Sequence, residues 1–110
     1  MNKYDVVVVG GGAAGLSAAL VLARARRQVL VVDSGTPRNA PAAHMQGFLS
    51  RDGMPPADLL AAGREEVRGY GGTIITGAVK DLVRCREGGF QVLLDDADRV
   101  SARHLVKYRV

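Results

Sequence analysis

The chain has 110 residues, room for one small domain that buries about two thirds of the surface its unfolded form exposes. Its 47% hydrophobic and 24% charged residues are those of a globular protein, whereas 14 Gly and 5% aromatic residues point to tight turns and close backbone approach in place of a large aromatic core. The net charge of +4 is dispersed apart from a one-signed tail with Arg99, Arg103, Lys107 and Arg109, no cluster of basic and stacking aromatic side chains precedes that tail to make a nucleic-acid surface, and the single Cys85 excludes an internal disulfide and a zinc cluster within one chain.

Residues 4–9 form a short, valine-rich run stopped by glycines, the pattern of a parallel strand covered on both faces. Residues 6–23 carry no charge, and Ala23-Arg24-Ala25 mimics a cleavage site, but Gly10, Gly11, Gly12 and Gly15 weaken a continuous apolar helix and Asp5 stands where a leader would be basic. The expectation is a cytoplasmic domain without a membrane segment. Leu16, Ala19, Leu20 and Ala23 fall at i, i+3, i+4 and i+7, and Arg24, Arg26 and Arg27 crowd the negative end of the helix they define, most simply as solvated cations. A second buried strand over residues 29–32 ends at Asp33, which completes a strand, helix and strand crossover unit.

Residues 34–56 lack periodicity and are punctuated by Gly and Pro, the mark of a functional or disordered loop. Pro56 then opens a second helix, with Asp58 in its first turn and Leu59, Leu60, Gly63 and Val67 on one face. Gly71-Gly72 ends it, and residues 73–76 make a third strand. Beyond these, residues 79–86, 90–95 and 100–106 are strand-like runs joined by Glu87-Gly88-Gly89 and Asp96-Ala97-Asp98, connections so short that neighbours must be antiparallel. Cys85 and His104 fall within this meander as structural residues, Cys85 as a small buried hydrophobe.

The chemistry lies in Gly10-Gly11-Gly12-Ala13-Ala14-Gly15, which fits G-x-G-x-x-G between a strand and a helix, with Asp33 closing the next strand. Gly10 permits the tight turn, Gly12 admits a pyrophosphate to the backbone, and Gly15 lets the helix lie close to the strand. The helix-start amides around Ala13 and Ala14 would face the diphosphate, and Asp33 would accept hydrogen bonds from ribose hydroxyls while repelling a 2′-phosphate. The fingerprint by itself does not separate FAD from NAD.

The chain resembles the FAD-binding N-terminal part of the thioredoxin-reductase-like flavoproteins, within the pyridine nucleotide-disulfide oxidoreductase class. The likeness rests on Tyr4-Asp5-Val6-Val7-Val8-Val9-Gly10-Gly11-Gly12-Ala13-Ala14-Gly15-Leu16, on Asp33, on Arg38-Asn39, and on His44-Met45-Gln46-Gly47-Phe48-Leu49-Ser50-Arg51-Asp52-Gly53. It covers residues 1 to about 106. It implies an α/β, Rossmann-type FAD-binding domain: parallel strands with crossover helices plus a three-stranded antiparallel meander, incomplete at the C-terminus. Residues 1–106 would be a partial FAD-binding domain and residues 107–110 a tail departing from the family pattern, because relatives continue into Ala-Thr-Gly where this chain has Lys107-Tyr108-Arg109-Val110.

The resemblance further places Arg38 and Asn39 near the diphosphate or adenosine, the segment from His44 through Gln46 to Gly47 near the isoalloxazine, and Val79 in backbone contact with adenine. His44 is as readily a solvated loop residue, and Arg51 and Asp52 a surface pair. The family reaction moves reducing equivalents from NAD(P)H to FAD and on to a dithiol/disulfide pair. No second G-x-G-x-x-G/A and no C-x-x-C is present, so NAD(P)H would enter only through a missing domain, and no catalytic or metal-binding residue is assigned. The expectation is a truncated flavoprotein half, not active alone. Its alternatives are a stand-alone module for the ADP moiety, a non-functional remnant with an unpaired sheet edge, and a chain completed by a partner that carries the missing half.

Overall fold

The computed structural model describes residues 3–10, 12–34 and 56–107. In chain order they form β1 (Lys3–Val9), α1 (Ala13–Arg24), β2 (Val29–Asp33), α2 (Pro56–Gly69), β3 (Thr73–Thr76), β4 (Val79–Arg84), β5 (Phe90–Leu94) and β6 (Arg99–Lys107). All six strands belong to one sheet in the order β3-β2-β1-β6-β5-β4.

The valines of β1 alternate between two cores, as the twofold repeat of a strand requires. Val6 and Val8 meet Val29 and Val31 of β2, Leu16, Ala19 and Leu20 of α1 and Val67 of α2. Val7 points the other way, with Leu30 and Val32, into a cluster that includes Val92 and Leu94 of β5 and Val100 and Ala102 of β6. Strands clothed on both sides have no use for an alternating polar face, hence the unbroken apolar runs. The predicted stripe of α1 is the buried one: Leu16, Ala19, Leu20 and Ala23 all lie in the core.

Both helices end in the same hydrogen-bonded motif with different residues at its tight position. After α2, the Gly72 amide donates to Val67 O and the Gly71 amide to Arg68 O, with Gly71 at φ 94°. After α1, Arg27 donates to Leu22 O and Arg26 to Ala23 O, with Arg26 in the left-handed region at φ 64°.

The meander is antiparallel as expected but is not a separate sheet. Strand β6 pairs with β5 through Arg99–Ala102 register partners and with β1, in parallel, from Ser101 to Lys107. Its nine residues therefore join the meander to the parallel sheet. Strand β1 has β2 on one side and β6 on the other. Strand β4 stops at Arg84, two residues short of its predicted end, because Cys85 starts a turn in which its amide donates to Gly89 O and its carbonyl accepts from the Gly88 amide. Cys85 is half-buried outside the strand, and His104 lies within the meander on β6, with its side chain exposed.

Candidate functional site

Strands β1, β2, β3 and β6 run parallel, so their carboxyl ends at Val9, Asp33, Thr76 and Lys107 share one side of the sheet. The chain leaves β1 toward β2 through α1, whereas the strand on its other flank arrives from the meander. Open α/β sheets bind ligands outside the carboxyl ends at such a reversal of strand order.

The glycine turn sits at that point. Gly10 has φ 120°, which a side chain would strain, and its amide donates to Val32 O at 2.9 Å, tying the turn to β2. Gly12 is the N-cap residue of α1, and its carbonyl accepts from the Leu16 amide at 2.9 Å. No side chain caps this helix end and its first turn carries no acid. First-turn amides have no intrahelical acceptor, and here they belong to Ala13, Ala14 and their neighbours, at the positive end of the helix dipole.

The two outer glycines of the turn's second half do different work. A Cβ on Gly15 would run into the carbonyl oxygen of Gly10, so this glycine sets how closely α1 approaches the strand. A Cβ on Gly12 would meet no heavy atom within 4 Å. Nothing in the packing of the described residues demands a glycine there; the space in front of it is open to a ligand.

Asp33 ends β2, with its carboxylate at the same rim. Its Oδ2 accepts from Arg64 Nη2 of α2 at 3.4 Å, and the two side chains are 17% and 32% exposed. Its backbone carbonyl accepts from the Gly77 amide at 2.8 Å, which brings the segment after β3 across the end of β2. Val79 follows, half-buried at the start of β4, where it pairs with Leu94 and packs on the second core. Gly10, Gly12, Ala13, Ala14, Gly15 and Asp33 thus gather at one end of adjoining strands, with Val79 behind the crossing segment. Arg38, Asn39, His44, Gln46, Gly47, Arg51 and Asp52 lie outside the described residues.

Arg64 was not singled out from the sequence. Its signal was faint: it is four residues beyond Leu60 and adjacent to Gly63, at the margin of the apolar face of α2, where a cation can reach over the sheet. Arg24 is exposed at the end of α1, with its guanidinium 5.7 Å from the centre of the exposed Tyr70 ring. Among the described residues no three His, Cys, Asp or Glu side chains gather as a metal site, and no helix is long and apolar enough to cross a membrane.

An uncapped helix start, a side-chain-free approach at Gly12 and a carboxylate on the next strand can receive a diphosphate and a ribose together. A family model for the FAD binding domain matches residues 5–66, which contain all three features. The chain belongs to the FAD binding domain family. FAD is its cofactor, and its resemblance within the family is to thioredoxin reductases. It is 43% identical over 72 residues to thioredoxin reductase sirT of Leptosphaeria maculans, over 64% of this chain and 22% of that protein. It is 28% identical over 108 residues to the thioredoxin reductase of Listeria monocytogenes, over 94% of this chain and 32% of that one. The crystal structure of HlmI superposes with a TM-score of 0.83 at 58% identity, over 96% of this chain and 34% of HlmI. The chain thus spans a third or less of the curated relatives and about a third of the solved one.

Proposed function

We propose that this domain is the FAD-binding half of a thioredoxin-reductase-type oxidoreductase, in which reducing equivalents pass from NAD(P)H through FAD to a disulfide or related acceptor. The flavin supplies the redox chemistry, and the protein binds and orients it. In this reading Gly10, Gly12 and Gly15 shape the turn, the amides around Ala13 and Ala14 receive the diphosphate, and Asp33 accepts from the ribose. Arg38 and Asn39 line the diphosphate or adenosine, Gln46 and Gly47 approach the isoalloxazine, and the backbone at Val79 meets adenine. NAD(P)H and the acceptor disulfide then belong to a further part of the polypeptide or to a partner chain. The cytoplasm, where thiols are kept reduced, suits such a reaction.

The observation that carries the reading is the open, uncapped start of α1 behind Gly12, with Asp33 one strand away. The visible absorption spectrum of the freshly purified chain tests it, followed by release of the chromophore on denaturation. A bound flavin is the expected result. A second reading, a module that holds the ADP moiety without turnover, is favoured by the pairing of β1 on both sides, which seats the glycine turn inside the sheet and not at its edge. A colourless chain with saturable ADP binding would select it, and a chain that binds neither would sink both.

A further inference from the structure

We propose that the exposed end of the molecule formed by Arg24, Arg26, Arg27 and Tyr70 is a docking surface for an acidic segment of another protein. Three arginines stand within four residues at the end of α1, all of them exposed, and among the described residues none of the three is ion-paired. Asp5, beside Gln28, binds the amide of that residue at 2.8 Å, and Glu65, near the end of α2, pairs with Arg68 at 3.5 Å, so neither acid takes an arginine of the group.

Folding accounts for only the first of the three. A cation offsets a helix dipole from the last turn, and Arg24 alone lies there. Arg26 is held at φ 64°, where a Cβ costs stability and where the matching turn after α2 has Gly71 at φ 94°. An arginine kept at a glycine position points to a use for its side chain outside the fold. Arg24 is itself placed, with its guanidinium over the Tyr70 ring, and this contact joins the ends of both helices into one surface. Val21, one turn before Arg24 on the same helix face, is 66% exposed and Tyr70 is 54% exposed, so the cations adjoin apolar area.

The chemistry selects the partner. All three cations are arginines, whose planar fork meets a carboxylate through two parallel N–H donors. Arginine and tyrosine are also the residues that most often anchor protein interfaces. Nucleic acid is less well served, because one face of Tyr70 is taken by Arg24 and the other described aromatics, Tyr4 and Phe90, belong to β1 and β5. The surface lies a helix length from the glycine turn, roughly 18 Å for the 12 residues of α1, which leaves the carboxyl ends of the strands open while a partner is docked.

The test is fluorescence anisotropy of a fluorescein-labelled, Glu-rich peptide with one central Leu, titrated with the 110-residue chain, beside an oligothymidylate of equal charge. The wild type should bind the peptide, more weakly as salt rises. Arg26→Gly should weaken binding about fivefold while its melting midpoint rises, and Arg24→Gln and Arg27→Gln should each weaken it by a similar factor. Arg86→Gln, which removes an exposed arginine from the turn after β4, should leave it unchanged. A purely structural turn would give the gain in stability without the loss of binding, and that result would overturn the proposal. Equal weakening in Arg86→Gln would make net charge the cause and overturn it too, as would a wild-type chain that leaves the peptide free. Tighter binding of the oligothymidylate than of the peptide would replace the protein partner with a nucleic acid, which also overturns it.

Discussion

At the scale of single residues, Gly12 and Gly15 look interchangeable in the string GGGAAG but answer to different forces. Gly15→Ala drives a methyl against the Gly10 carbonyl, backbone against backbone, with no flexible side chain to give way. We expect it to destabilise the fold by about 2 to 3 kcal/mol, read as a lower urea midpoint. Gly12→Val faces open space and should lose no more than about 1 kcal/mol, from the poorer N-cap, while abolishing nucleotide binding by filling the approach to the helix amides. Nucleotide affinity unchanged in Gly12→Val would overturn the fingerprint reading. Arg26 is the opposite case, a side chain where the backbone wants none. At φ 64° it occupies the position that Gly71 fills after α2, and Arg26→Gly should raise stability by about 1 kcal/mol. A thermal melt should show the midpoint rising by roughly 4 to 8 °C.

Among the elements, β6 has the most consequence. Its first residues close the antiparallel meander and its last ones, His104 to Lys107, pair with Val6 to Val9. A chain stopped after Arg103 would keep the meander and leave Val6 to Val9 of β1 unpaired on one side. We expect that variant to lose its cooperative thermal transition and to elute as aggregates in size-exclusion chromatography. A monomeric, cooperatively melting product would show that β2 alone holds β1. Helix α2 matters to the site for a related reason: its buried Leu59, Gly63 and Val67 place Arg64 over the end of β2.

For the molecule as a whole, the parallel strands deliver the turn, the helix start and Asp33 to one side, so the ligand should stabilise the fold by mass action. At a hundred times its dissociation constant, ADP or FAD should add about 2.7 kcal/mol, and the melting midpoint should climb with ligand concentration. Gly12→Val should flatten that dependence while its unliganded midpoint stays near that of the wild type.

The elements themselves were legible in the sequence because each carries a local signature. The apolar run ending at Val9, the stripe from Leu16 to Ala23, the strand closed by Asp33 and the punctuation at Gly71-Gly72 are set by neighbouring residues and the period of the backbone. The glycine fingerprint was legible for the same reason, since a turn of six residues is a local object. Three things had no local trace. The junction of β6 with β1 pairs residues about a hundred positions apart, and strand pairing depends on which edges meet once the cores have formed. The Arg64 to Asp33 contact depends on where α2 settles against β2, and the left-handed Arg26 on how α1 must turn to reach β2. Sequence determined which segments are strands and helices and that a dinucleotide turn lies between the first two. Only the tertiary structure decided that the meander joins the parallel sheet beside β1 and that the Asp33 carboxylate has a cationic partner, because both follow from long-range packing.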